Sequence, residues 1–449
     1  MEELFQNTDS FSDIIENLDF SINSDVCVSL PEIVFVKTPP ENLHPKIYFY
    51  LEFAQALDAD AVYFRYYDDN RFCAPQVYFY DNCNNKRNKE DIAEIHKKVY
   101  SSCQVPAICV IDRRYINIYD VRIPVEAKKE VISNQKALFK KTPLEDLNNL
   151  KKYFSAQSLN YGIFWESEVA TKHFLNNKSA YEVLISELIK IQTELNILIS
   201  KKISPGFVDD FLFKCILIKY LEENAKDVSV NYAEKFYKEK GLEYYTLKEN
   251  IENRKLKELF SCLEDHFNGG VFHLSKDEEK ILNELKQDDY YKIAALLDGR
   301  IQNQQLSIWE IYSFKHIPIE LISNFYEEFI PKNEENKGTV YTPSFLVNFL
   351  IDECLPVSIN ETDYNVKLID VSCGSGIFIS TAFKRLVQRY RVANRKEGAN
   401  ILDKSSLKLN DIKRILTDNI FGVDKNETAV KLTKFSLQLA LCQVIPNNE

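Results

Sequence analysis

Residues 368–378 read Leu368-Ile369-Asp370-Val371-Ser372-Cys373-Gly374-Ser375-Gly376-Ile377-Phe378, and their pattern decides how the rest of the chain is parsed. Leu368 and Ile369 predict a short buried strand with Asp370 at its carboxyl end. A glycine turn follows, and then the first turn of a helix. Gly374 and Gly376 can adopt positive φ and let a ligand approach the backbone closely. Beyond them Ile379, Ala382, Phe383, Leu386, Val387 and Tyr390 recur at helical spacing, which predicts an amphipathic helix packed on a sheet. A glycine turn between a parallel strand and a helix is where open α/β sheets hold nucleotide-like ligands. The same pair also serves as a plain tight turn in other α/β domains, so its neighbours matter.

Downstream, Ile420-Phe421-Gly422-Val423-Asp424 predicts a second strand ending in an acid. Doubly wound folds bind ribose hydroxyls with an acid at that position. Upstream, Gly338-Thr339-Val340-Tyr341-Thr342-Pro343-Ser344 leads into a predicted helix from Phe345 to Ile351. In this order the three pieces resemble the amino-methyltransferases that modify DNA adenine at N6, and the order is that of the γ class. The resemblance implies S-adenosylmethionine as cofactor. It implies Tyr341, Thr342 and Pro343 as the first cofactor element, Asp370, Cys373, Gly374, Gly376 and Phe378 in the glycine turn, and Asp424 as the ribose-binding acid. It also implies double-stranded DNA as partner, in a restriction–modification or phage-defence system. Val371-Ser372 stand before Cys373 where that family usually has a proline or an alanine. The interval from Asp370 to Asp424 is long for one strand–helix–strand unit, so an insertion is expected between Arg391 and Leu416.

A chain of 449 residues is too long for one compact core, and two or three domains are expected. Hydrophobic content of 45% and charged content of 27% describe an ordinary globular protein. No apolar run approaches the ~18 residues that span a bilayer. The acidic start, Met1-Glu2-Glu3, lacks the pattern of a signal peptide, so a cytoplasmic protein without membrane contact is expected. The ten cysteines include no Cys-x-x-Cys pair, which predicts free, buried thiols and no structural zinc. A net charge of −11 argues against a chain that coats nucleic acid uniformly. The basic run Lys384, Arg385, Arg389, Arg391, Arg395 and Lys396 reads as a solvated helix surface.

The expected fold class is α/β plus all-α: a small nuclease-like α/β domain, a helical bundle, then the first part of a Rossmann-like methyltransferase domain. Residues 1–45 read as an arm closed by Pro39-Pro40 and Pro45. In 46–126, helix and strand signals alternate: Ile47–Ala56 helical, Ala61–Tyr67 and Gln76–Tyr80 as strands about Asp68-Asp69-Asn70, then a helix with Ile92, Ile95 and Val99 on one face. Ala107–Ile111 and Tyr115–Val121 read as a further strand pair joined at Asp112-Arg113-Arg114. This order resembles the nuclease-like domain that precedes the methyltransferase in fused restriction–modification enzymes. Such a site needs two acids and a lysine to hold Mg²⁺ and orient water. Asp112, Glu126 and Lys128 are the available set, but Pro124 interrupts the strand that should carry them. A nuclease-like fold without a complete site is therefore expected, with no catalytic or metal residue assigned, and His96 is read as solvated.

Residues 127–165 read as a helical connector. Residues 166–336 read as a helical domain that starts a buried helix at Phe207 after Ser204-Pro205-Gly206. This stretch resembles the α-helical domain of type I modification subunits, most of all at His266–Phe272 and Ile317–Phe329. Residues 337–449 are the partial methyltransferase domain. Adenine-N6 transfer in the resembling family uses an Asn/Asp-Pro-Pro-aromatic loop to grip a flipped base. The only Pro-Pro here is Pro39-Pro40, in the wrong region. The expectation is the amino-terminal part of such an enzyme, inactive in isolation, with the remaining strands supplied by further sequence or a second chain. Two other readings stay open: a methyltransferase acting on RNA or protein, and a non-enzymatic DNA-binding or assembly module.

Overall fold

A computed structural model describes residues 10–20, 33–40, 43–66, 72–128, 131–175, 178–199, 207–224, 232–267, 270–297, 311–318, 342–395 and 407–444. The chain divides into two compact units, one within residues 1–183 and one beginning at Leu184. Each is built around its own core.

The first unit carries a six-stranded mixed sheet in the order β1 (Ile33–Phe35), β2 (Ala61–Tyr66), β3 (Phe72–Asn82), β4 (Ala107–Asp112), β5 (Tyr115–Asp120), β8 (Leu138–Pro143). Only β3 and β4 run parallel, joined through helix α3 (Lys89–Ser102). Strand β4 reads Ala-Ile-Cys-Val-Ile-Asp without alternation because both faces of the sheet are covered. Val77, Phe79, Cys109 and Ile111 point into a core with Phe20, Phe154 and Phe164. The rings of Phe20 and Phe79 meet edge to face at 5.4 Å, and those of Phe154 and Phe164 at 5.3 Å. On the opposite face lie α2 (Pro45–Ala56) and α3. There the Tyr80 hydroxyl donates to the Leu57 carbonyl at 3.1 Å.

Several sequence expectations meet a different structure here. The stretch read as an arm contributes Phe11, Ile14, Ile15, Leu18 and Phe20 to the core, and Ile33–Phe35 to the sheet edge. The stretch read as a helical connector holds a small antiparallel pair, β6 (Glu126–Lys128) with β7 (Val131–Ser133), and then β8, which pairs with β5. Those strands are short and lysine-rich, and only their long-range partners reveal them. The Asp68-Asp69-Asn70 turn lies outside the described residues, as does Ser204-Pro205-Gly206. His96, expected on the surface, is fully buried: its Nε2 lies 2.8 Å from the Ile123 carbonyl and its ring stands edge-on to Tyr119. Flanking lysines suggested solvent, but the helix turns this position toward the sheet.

The second unit combines helices with a small parallel sheet. Helix α4 (Phe207–Asn224) is apolar on most sides and buries Phe211, Leu212, Ile216 and Leu217. Lys214 is buried within it and pairs with Asp210 one turn back and with Glu278 at 3.4 Å. Helix α5 spans Leu256–Phe267, and its Glu264 accepts the Gly270 and Phe272 amides of the following loop at 2.7 and 3.0 Å. Most of Ile317–Phe329 lies outside the described residues.

The carboxyl-terminal part contains α6 (Ser344–Cys354), β9 (Leu368–Asp370), α7 (Ile377–Ala393), α8 (Leu409–Asn419), β10 (Ile420–Gly422) and α9 (Glu427–Val444). Strands β9 and β10 pair parallel, Ile369 opposite Phe421. Ile379, Ala382, Phe383, Leu386, Val387 and Tyr390 of α7 are buried in one cluster with Val347, Ile412 and Ile420. Strand β9 itself departs from expectation. Ile369 is 65% exposed and Val371 73%, beside exposed Phe421 and Val423, because the described sheet has two strands and only its other face is packed. The basic run departs too. Arg385, Arg389 and Arg391 are buried. Arg385 donates to the Leu355 carbonyl at 2.8 Å and to Asp352 at 2.6 Å, and Arg389 to the Pro356 and Asp363 carbonyls at 2.6 and 3.0 Å. These guanidiniums cap the carboxyl end of α6, where carbonyls lack helical partners and the dipole favours a cation. Lys396 lies outside the described residues.

Two predictions follow from these buried groups. Burial pushes the His96 imidazole down to about 4, against 6.5 in the unfolded chain. The unfolded state therefore binds more protons between those values. Stability present above pH 6.5 should fall as pH drops through that window, by about 3 kcal/mol. Urea unfolding at pH 7 and pH 4.5 should show a larger loss for the native chain than for His96→Gln. Arg389→Ala removes the guanidinium and leaves the Pro356 and Asp363 carbonyls without its three hydrogen bonds, which should cost about 2–4 kcal/mol, with faster amide exchange across residues 355–366.

Candidate functional site

The site is assembled where β9 and β10 end side by side. The Val423 amide donates to the Asp370 carbonyl at 2.8 Å, and the Cys373 amide returns to the Val423 carbonyl at 3.0 Å. These bonds carry the parallel pairing past the last strand residues and bring the glycine turn against the Val423–Asp424 backbone. The turn is tight: the Gly376 amide donates to the Cys373 carbonyl at 2.8 Å. Gly374 sits at φ +51° and Gly376 at φ +91°, a region that side-chain-bearing residues rarely adopt. Helix α7 starts directly after Gly376.

Asp424 closes the mouth of the turn. Its Oδ2 accepts the Gly374 amide at 2.9 Å and its Oδ1 accepts the Asn426 amide at 2.8 Å. Each carboxylate oxygen has two lone pairs, so hydroxyl donors can still be accepted there. Asp370 turns back on its own loop and accepts the Ser372 amide at 3.0 Å. Cys373 is buried behind the turn, with its Sγ 3.9 Å from the Thr433 Oγ1. Burial pushes the Cys373 thiol up, and Asp424 and Asp370 push it the same way, so it is a poor nucleophile. Phe378 packs half-buried against the α7 core. The turn leaves two glycines without side chains in its mouth and an acid with spare acceptor capacity across it, which fits a ribose-bearing cofactor.

The structure thus brings Asp370, Cys373, Gly374, Gly376 and Asp424 into one bonded network. Pro343 forms the amino-terminal cap of α6, with Thr342 half-buried before it, while Tyr341 lies outside the described residues. The sequence analysis missed Thr433, which donates to the Gly374 carbonyl at 2.7 Å. Its signal was a hydroxyl on the apolar stripe Ala429, Leu432, Phe435 and Leu439. In the first unit, Asp112 accepts its own turn amides at Arg114 and Tyr115 and the Asn117 side chain, and Glu126 pairs with Lys136. Among the described residues no group of three or more His, Cys, Asp or Glu side chains could hold a metal ion. Of the described cysteines, Cys109, Cys215 and Cys373 are buried, whereas Cys103 and Cys354 are exposed. No helix among the described residues is long and apolar enough to cross a membrane.

A glycine turn at the carboxyl ends of parallel strands, faced by an acid, is the nucleotide-type site of doubly wound α/β folds. The comparisons are more specific: the family model described as N-6 DNA Methylase matches residues 318–443. The chain is 28% identical to the type II restriction enzyme and methyltransferase RM.Eco57I of Escherichia coli, over 38% of this chain and 21% of that protein. It is 30% identical to the adenine-specific methyltransferase PglX of Streptomyces coelicolor, over 26% of this chain and 9% of that protein. The chain therefore spans about a fifth or less of the curated relatives it matches. A cryo-electron microscopy structure of a DrdV–DNA complex aligns at 13% identity over 86% of this chain and 33% of that one. Its TM-score is 0.27, and a superposition that loose carries no argument.

The space around Gly376 sets a further expectation. A Cβ there would lie 2.9 Å from the Thr433 Oγ1 and 3.2 Å from the Thr433 Cα. Gly376→Ala should cost about 1–3 kcal/mol from strain at positive φ alone. A lowered thermal midpoint together with fast exchange at the start of α7 would register it.

Proposed function

We propose that residues 337–449 are the cofactor-binding part of a DNA adenine-N6 methyltransferase of restriction–modification or phage-defence type. The observation that supports this most is Asp424 lying across the mouth of the Gly374–Gly376 turn, at the ends of two parallel strands. The similarity of residues 318–443 to N-6 DNA methylases supports DNA adenine N6 as the methyl acceptor. S-adenosylmethionine, when bound, supplies an electrophilic methyl group on its sulfonium sulfur. Asp424 would accept the ribose hydroxyls, and the glycine turn would offer close backbone approach to the rest of the cofactor. Tyr341, Thr342 and Pro343 would supply the first cofactor element, as the resemblance to the γ class implies.

The base must leave the duplex to meet the methyl donor. No Asn/Asp-Pro-Pro-aromatic string occurs in the sequence, so we assign none of these 449 residues to the base grip. The first unit would then be the nuclease-like domain, without a complete cleavage site: residues 46–126 give most of its sheet, and residues 11–20, 33–35 and 138–143 complete its core and edges, while the helical domain begins near Leu184.

The test is cofactor affinity. Asp424→Ala removes a charged acceptor and should weaken S-adenosylmethionine binding by about 1.5–3 kcal/mol. Isothermal titration calorimetry on the two chains decides it, and equal affinities would take Asp424 out of the site.

A further inference from the structure

We propose that Thr433 is a positioning residue for the cofactor turn, acting through its hydroxyl on the Gly374 carbonyl. The inference rests on the cofactor-binding reading above.

Gly374 is held at both ends of its polar backbone. Its amide donates to Asp424 Oδ2 at 2.9 Å, and its carbonyl accepts the Thr433 hydroxyl at 2.7 Å. Both partners come from the same stretch of chain, the end of β10 and the second turn of α9. A glycine at φ +51° has no side chain to hold its peptide planes, so these two hydrogen bonds set them instead. Without the hydroxyl, rotation about Gly374 and Gly376 meets little steric resistance. The peptide between Gly374 and Ser375 then loses the bond on its carbonyl and turns more easily from the face it shows to the ligand. Thr433 is 5% exposed, so water cannot readily replace its bond.

Contact geometry supports the same role. A Cβ on Gly376 would fall 3.0 Å from the Thr433 Cγ2, so this one side chain also forms the wall against which the second glycine is pressed. The wall is itself anchored. Two residues on, Phe435 meets Phe267 and Phe272 edge to face at 5.3 and 5.5 Å. One turn further, the Gln438 amide donates to the Phe267 carbonyl at 3.1 Å. A Cβ on Gly270 would press on the Lys431 side chain at 3.2 Å, so the 270–272 loop lies close along α9. The segment after α5 thereby fixes α9, and α9 fixes the turn.

The test separates the hydroxyl from the shape that carries it. Thr433→Val keeps the volume and the wall but removes the donor. Thr433→Ser keeps the donor and drops the methyl. Calorimetry of the full chain with S-adenosylmethionine should show Thr433→Val weakened about fivefold to thirtyfold, the range of one buried hydrogen bond, and Thr433→Ser within about twofold of native. Amide exchange of the ligand-free chain gives a readout independent of binding. Residues 374–376 should exchange faster in Thr433→Val alone, with the thermal midpoint lowered by no more than about 4 °C. Equal affinities and equal exchange in native and Val chains, with the native chain binding, would overturn the positioning role and leave the cofactor reading standing. Absence of binding by the native chain would overturn both.

Discussion

The carboxyl-terminal half of the second unit depends on one close approach: the Gly374–Gly376 turn pressed against the second turn of the helix Glu427–Val444. Gly374 has its amide bound by Asp424 and its carbonyl by Thr433, and Gly376 has no room for a Cβ. Gly422 is equally confined, since a Cβ there would meet Ile379 at 2.9 Å and Cys373 at 3.1 Å. Three glycines therefore let two strands, a turn and two helices meet within van der Waals distance. The helix that leaves the turn buries a full apolar face as a result. That burial, at about 25 cal/mol per Å², holds the site together far more than its own few hydrogen bonds do.

Charge is distributed with the same economy. The chain is acidic overall, yet Arg385 and Arg389 of the helix Ile377–Ala393 are directed to the interior, against carbonyls at the end of the helix Ser344–Cys354. A buried guanidinium is tolerable only when its donors are satisfied, and carbonyls left over at a helix terminus are suitable acceptors. The cost is that these cations do not face the solvent.

The glycine turn of the candidate site, and the acid opposite it, were legible from residue order. Glycines spaced two apart between an apolar pair and an amphipathic helix have few structural uses, and an acid after the next apolar strand narrows them further. The helix face from Ile379 to Tyr390 was equally plain, because helical periodicity is a local property that the sequence carries unaided. The same holds for the buried helix Phe207–Asn224 and for strands β2 to β5, whose β-branched and aromatic runs show in one dimension.

What the order of residues could not carry was decided by contacts between distant segments. Strand β8 exists because β5 offers it a ladder, and Phe11 to Phe20 are core because aromatic rings from residues 63–164 surround them. His96 and the arginines at 385 and 389 look like surface residues by their neighbours, and packing turns them inward. Ile369 looks like core by its neighbours, and a two-stranded described sheet leaves it exposed. Thr433 is sixty residues from Cys373 and reads as one hydroxyl on an apolar stripe until the helix is laid against the turn. Local sequence determined which backbone shapes were available, through propensity, periodicity and the freedom of glycine. Tertiary structure alone decided which side chains met, because burial and hydrogen-bond partnership depend on segments far apart in the chain.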